Sequence, residues 1–136
     1  MNAAFIGLGV MGMAIAQRLQ GAGAALRVWN RSPGKCAPLQ AAGATVCRTP
    51  AEAAAAAEVV FLCLMDGAAV EDVVFGEQGV AAGATAASLV VDHSSIAPDH
   101  ARTLASRLQA GCGAGWLDAP VSGGVPAARR RSAPST

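Results

Sequence analysis

Near the N-terminus, Gly7, Gly9 and Gly12 stand in the run Gly7-Leu8-Gly9-Val10-Met11-Gly12, with Gly-x-Gly-x-x-Gly spacing. Without side chains, the backbone can turn tightly at the first position, admit a close ligand at the second, and let a helix pack near a strand at the third. A helix starting there offers unpaired N–H groups and a partial positive charge, which suit a pyrophosphate. The chemistry implied is the cradling of a dinucleotide. Spacing alone is weak ground, since the chain has 16 glycines in 136 residues. By chance such a triplet arises roughly 0.2 times per chain of this composition.

Context strengthens it. The apolar run Asn2 to Ile6 precedes the glycines, and a second such run ends at Asn30-Arg31-Ser32, about 20 residues on, where a ribose-reading group belongs. A site for an unmodified ribose places an Asp or Glu there to accept from the 2′-hydroxyl. This chain has none; Arg31, with Lys35 nearby, can pair instead with a 2′-phosphate. NADP is therefore expected in preference to NAD. The plainer alternative leaves Arg31 as a solvated loop residue.

Farther along, Asp118-Ala119-Pro120-Val121-Ser122-Gly123-Gly124 combines backbone N–H groups with a hydroxyl and could hold a carboxylate, although a Pro/Gly turn is often only structural. His93 and His100 are expected to be structural or solvated histidines, not general bases. Cys36, Cys47, Cys63 and Cys112 lack a Cys-x-x-Cys pairing, so neither a metal site nor a disulfide framework is expected. Cys63 reads as a small hydrophobe in an apolar run, and the other thiols as surface or helix residues.

The elements that would position these groups alternate. A helix is expected from Met11 to Gln20, ended by Gly21 and Gly23, then a strand from Ala25 to Trp29. Ser32 and Pro33 start a helix ended by Gly43, with Ala44 to Cys47 as the next strand. Thr49-Pro50-Ala51-Glu52 starts another helix as a capping box. The run Val59 to Leu64 reads as a central strand buried on both faces, with Asp66 as a helix cap beyond it. Val70, Val73 and Val74 mark a short helix closed by Gly76; Ser88 to Asp92 and Trp116 to Ala119 read as strands, flanking a helix that Gly111 follows. This order is an α/β, Rossmann-like, doubly wound parallel sheet.

The composition, 53% hydrophobic with a formal charge of +1, fits one domain and gives no strong field toward nucleic acid or membrane. No apolar run reaches the ~20 residues of a membrane span, and no signal peptide is expected, so cytoplasm is the expected compartment. Residues 129–136, Arg129-Arg130-Arg131-Ser132-Ala133-Pro134-Ser135-Thr136, have no apolar periodicity and are expected to be a disordered basic tail. Three arginines without aromatic neighbours are poor grounds for nucleic-acid binding.

In order, the Gly7–Gly12, Asn30–Ser32, Asp92-His93-Ser94-Ser95-Ile96-Ala97-Pro98 and Asp118–Gly124 motifs resemble the β-hydroxyacid dehydrogenase family. Its members include 3-hydroxyisobutyrate dehydrogenase and the glyoxylate/succinic semialdehyde reductases. The resemblance runs to about Ala128 and implies that residues 1–128 are an NAD(P)-binding domain. It implies Gly7, Leu8, Gly9, Val10, Met11 and Gly12 at the pyrophosphate, and Asn30, Arg31 and Ser32 at the adenosine ribose with its 2′-phosphate. Leu64 and Met65 would line the cofactor groove. Ser95, where the family usually has threonine, would lie beside the nicotinamide ribose, and Ser122, Gly123 and Gly124 would bind a substrate carboxylate. The implied reaction is hydride transfer between the nicotinamide and a short hydroxy acid or semialdehyde. The family's catalytic lysine, in a Gly-x-x-x-Asn-x-x-Lys motif, has no counterpart here, because the only lysine is Lys35. The chain is thus expected to be a truncated or frame-shifted member, incomplete at the C-terminal end of its sheet, lacking the family's oligomer contacts and inactive alone. The alternative is a non-catalytic dinucleotide-binding module.

Overall fold

The computed structural model describes residues 1–120. Within them, β1 (Asn2–Ile6), α1 (Val10–Gly21), β2 (Ala25–Trp29), α2 (Ala37–Ala41), β3 (Thr45–Val46), α3 (Pro50–Ala55) and β4 (Val59–Leu62) are followed by α4 (Gly67–Phe75), α5 (Val80–Gly83), β5 (Leu89–Asp92), α6 (Pro98–Cys112) and β6 (Gly115–Asp118). The strands form one parallel sheet in the order β3-β2-β1-β4-β5-β6. This is the order of two mononucleotide-binding halves meeting between β1 and β4, the switch point where ligands bind. The register sets Ile6 beside Trp29 and Leu62, Leu62 beside Asp92, and Asp92 beside Asp118. Five strands therefore end level, and their carboxyl edge forms one continuous rim.

Each sheet face has its own core. On one, Ala4, Ile6, Val60, Leu62 and Val90 pack against apolar residues of α3, α4, α5 and α6. On the other, Ala3, Phe5, Leu26 and Val28 meet Ala14, Ile15 and Leu39. Burial of these aliphatic side chains supplies the main driving force. The two-sided burial expected of β4 holds only in part: Val60 and Leu62 are buried, whereas Val59 and Phe61 are half-buried. On that face Phe61 stacks between Phe5 and His93, with ring centroids 5.8 Å from each.

Several local expectations need correction. The segment after Ser32 is a 3-10 turn, Pro33–Cys36, followed by the short α2, and the Ser32 side chain makes no capping bond. Pro38 brings no N–H to an unbroken helix, which favours the split. Glu52 reaches back past Thr49, its Oε1 accepting from the Arg48 N–H at 2.6 Å, while Thr49 Oγ1 accepts from the Glu52 N–H at 3.0 Å. Helix α6 passes Gly111 and stops at Cys112, because Gly113 adopts the left-handed φ of 82° that ends the helix. Cys36 and Cys47 are buried, not surface thiols, and burial pushes both above the usual thiol range.

Candidate dinucleotide site

The turn between β1 and α1 has the mechanics expected of its glycines. Gly7 has a φ of 100°, and a Cβ there would run into the Cys63 carbonyl, so neither its conformation nor its surroundings admit a side chain. A Cβ at Gly12 would collide with the Gly7 carbonyl oxygen, which is the close helix–strand approach. Gly9 differs: nothing lies within 4 Å of its added Cβ. The space above Gly9 is open groove, as a ligand drawn tight to the backbone requires. Val10, Met11 and Gly12 open α1, so their N–H groups have no acceptor within the helix.

That space belongs to a cavity of about 780 Å³ along the rim, lined by all six residues from Gly7 to Gly12 and by Asn30, Arg31, Lys35, Leu64 and Met65. Two sequence-expected residues fall elsewhere: neither Ser32 nor Ser95 lines the cavity. Both are exposed. Ser122, Gly123 and Gly124 lie outside the described residues. Asn30 does more than border the groove. Its Oδ1 accepts from the Leu8 N–H at 2.7 Å and its Nδ2 donates to the Ser32 carbonyl at 3.0 Å. The end of β2 thereby clamps the glycine turn, with one carbonyl lone pair and one amide proton left for a ligand.

The opposite wall follows β4. Leu64 and Met65 sit between that strand and α4, and Met65 is 88% exposed at the groove. Their backbone is fixed by a residue the sequence did not single out: Ser94 Oγ accepts from the Leu64 N–H at 2.8 Å. Asp92 Oδ1 in turn accepts from the Ser94 N–H at 2.9 Å. Asp66 caps α4 as expected, its Oδ1 accepting from the Ala69 N–H at 2.9 Å. At the rim's far end, burial raises the Asp92 pKa, opposed by its Ser94 bonds and reinforced by the Asp118 charge. His93 is buried, with Nδ1 2.7 Å from the Ala119 carbonyl. A carbonyl only accepts, so Nδ1 carries the proton; burial depresses the pKa of the ring. Neither His93 nor His100 lines the groove.

A glycine turn at the head of a helix, on the carboxyl edge of a doubly wound sheet and facing an open cavity, defines a dinucleotide-binding domain. The chain belongs to the family described as the NAD-binding domain of 6-phosphogluconate dehydrogenase, which it matches over residues 2–133. Among curated proteins it is 38% identical over 119 residues to the cytokine-like nuclear factor N-PAC of Xenopus tropicalis, covering 88% of this chain and 22% of that protein. Among solved structures, 3-hydroxyisobutyrate dehydrogenase of Mycobacterium tuberculosis, determined with L-serine, superimposes with a TM-score of 0.84 at 36% identity over 95% of this chain and 43% of that one. Psf3, determined with NADP+ and 2-OPP, gives 0.86 at 37% identity over 94% and 45%. The chain spans about a fifth of the N-PAC relative and under half of each of these two solved chains. The resemblance to hydroxyacid dehydrogenases is borne out, and the chain carries the NAD(P)-binding domain of an oxidoreductase family.

Proposed function

We propose that the chain is the cofactor-binding part of an NADP-dependent oxidoreductase of the 3-hydroxyacid dehydrogenase type, acting between the nicotinamide and a short hydroxy acid or semialdehyde. The observation that carries it is the open space at Gly9 beside free helix N–H groups, with Arg31 and Lys35 lining the same cavity and no acid at the end of β2. A bound nicotinamide supplies the hydride chemistry. The chain's own residues orient it: Gly7 to Gly12 receive the pyrophosphate, Asn30 holds their turn, and Arg31 faces the 2′-position. Leu64 and Met65 exclude water from the opposite wall. Ser122, Gly123 and Gly124 are assigned to the substrate carboxylate, within a cofactor domain spanning residues 1–128 and followed by a basic tail. A cytoplasmic location accompanies this assignment.

The second possibility is a non-catalytic dinucleotide-binding module, in which Lys35, lining the groove beside Arg31, suits a phosphate. Trp29 also lines the groove, so quenching of its fluorescence reports binding directly. Saturable titration with NADP, tighter than with NAD, is the expected result. Turnover of 3-hydroxyisobutyrate or succinic semialdehyde by the same chain would exclude the module; binding without turnover fits the cofactor-binding part and the module alike. A flat titration with both dinucleotides would refute both.

A further inference from the structure

Arg31 is not idle in the structure. Its guanidinium lies 3.6 Å from Oδ2 of Asp72, which reaches from α4 across the mouth of the groove. Both side chains are more than two-thirds exposed, so the pair is weak and readily exchanged. The placement of Asp72 is fixed by its helix: Val70, Val73 and Val74 bury one face of α4, and this leaves Asp72 at the groove mouth. The neighbouring Glu71 is committed elsewhere, its carboxylate accepting from Arg107 at 2.9 Å and lying 3.4 Å from His100 on α6. Asp66, the other acid lining the groove, is occupied as the α4 cap. Asp72 is thus the acid of the rim that holds the cation facing the 2′-position.

We propose that Asp72 is a specificity-determining residue: its carboxylate competes with a 2′-phosphate for Arg31, so α4 sets how strongly the groove prefers NADP over NAD. The inference rests on the dinucleotide assignment above. Binding NADP draws Arg31 from Asp72 to the phosphate and leaves an uncompensated carboxylate beside a group of about two negative charges. At about 6 Å in screened water, that repulsion alone weakens binding roughly threefold. NAD, without the phosphate, leaves the pair in place.

The test compares dissociation constants for NADP and NAD, read by Trp29 fluorescence, in the wild-type chain, Asp72→Asn and Glu71→Gln. Asp72→Asn is expected to tighten NADP about three- to tenfold with NAD changed less than about twofold, and the gain should shrink in about 0.5 M salt. Glu71→Gln should leave the NADP/NAD ratio unchanged. An unchanged ratio in Asp72→Asn, weaker NADP binding in that variant, or an equal shift in Glu71→Gln would overturn the proposal while the dinucleotide assignment stands. Failure of the wild-type chain to bind either dinucleotide would remove both.

Discussion

A methyl group added at Gly9 enters open space, whereas the same methyl at Gly12 meets the Gly7 carbonyl. The contrast lets folding and ligand binding be separated with two alanine substitutions. At Gly9 the backbone φ is −69°, which any L-residue adopts. Alanine is the poorer N-cap by roughly 0.5 kcal/mol, and the stiffer unfolded chain returns about 0.4–1 kcal/mol. The net change in stability is therefore within about 0.5 kcal/mol, and the melting temperature should stay within roughly 3 °C of wild type. The methyl does, however, fill the place where a pyrophosphate would meet the backbone. Overpacking of that kind costs about 1–3 kcal/mol, and since 1.4 kcal/mol is a factor of ten, NADP affinity should fall roughly 5- to 150-fold. Gly12→Ala should lose stability by about 1–3 kcal/mol and lose binding with it. Circular-dichroism melts paired with Trp29 titrations measure both quantities. Undiminished NADP binding by Gly9→Ala would refute the placement of the pyrophosphate over Gly9.

Two further perturbations probe the supports of the rim. Asn30→Ala removes the acceptor of the Leu8 N–H in a residue only 2% exposed; an unsatisfied buried donor costs about 1–3 kcal/mol, so the urea midpoint should drop and the Leu8 amide should exchange faster, whereas unchanged exchange would count against the clamp. His93 has a depressed pKa in the fold through burial, so below the unfolded value of about 6.5 the unfolded chain binds more protons than the native one. Stability from this group is full above about pH 6.5 and declines as pH falls through that value toward the folded pKa. In His93→Asn, whose side-chain amide can still donate to Ala119, the decline between about pH 7 and 5.5 should flatten; an identical pH profile would show that another group titrates there.

What is legible in the sequence is what depends on near neighbours. Strand β1, the glycine turn and the Asp66 cap each follow from residues a few positions apart. The alternation of strands with helices is enough for the sheet class because right-handed crossovers leave few arrangements. Helix α5 is illegible, since Val80-Ala81-Ala82-Gly83 has too few residues for a period. Its logic is tertiary: a Cβ at Gly83 would strike the Ala51 carbonyl of α3. The same limit applies at the site. Arg31 can be singled out by its offset from the glycines, but nothing local shows that Asp72 faces it or that Ser94, 30 residues from Leu64, holds the opposite wall. The buried Cys36 and Cys47 were likewise unreadable, because the cover over them comes from the folded sheet.

Ala119 is held twice: its N–H donates to the Asp92 carbonyl at 2.8 Å, and its own carbonyl meets His93 Nδ1 at 2.7 Å. A residue with both peptide groups engaged is a fixed anchor, so the chain's point of departure toward Pro120 is set by β5 as firmly as by β6. That anchor lies on the same rim as the glycine turn, three strand spacings away, or about 14 Å. Tension or displacement arriving through the following residues would thus be delivered to His93, and through its stack to Phe61 and Phe5 beneath the turn itself. The aromatic row runs from the anchor at Ala119 to Phe5, whose ring edge lies close to Gly12 at the head of α1.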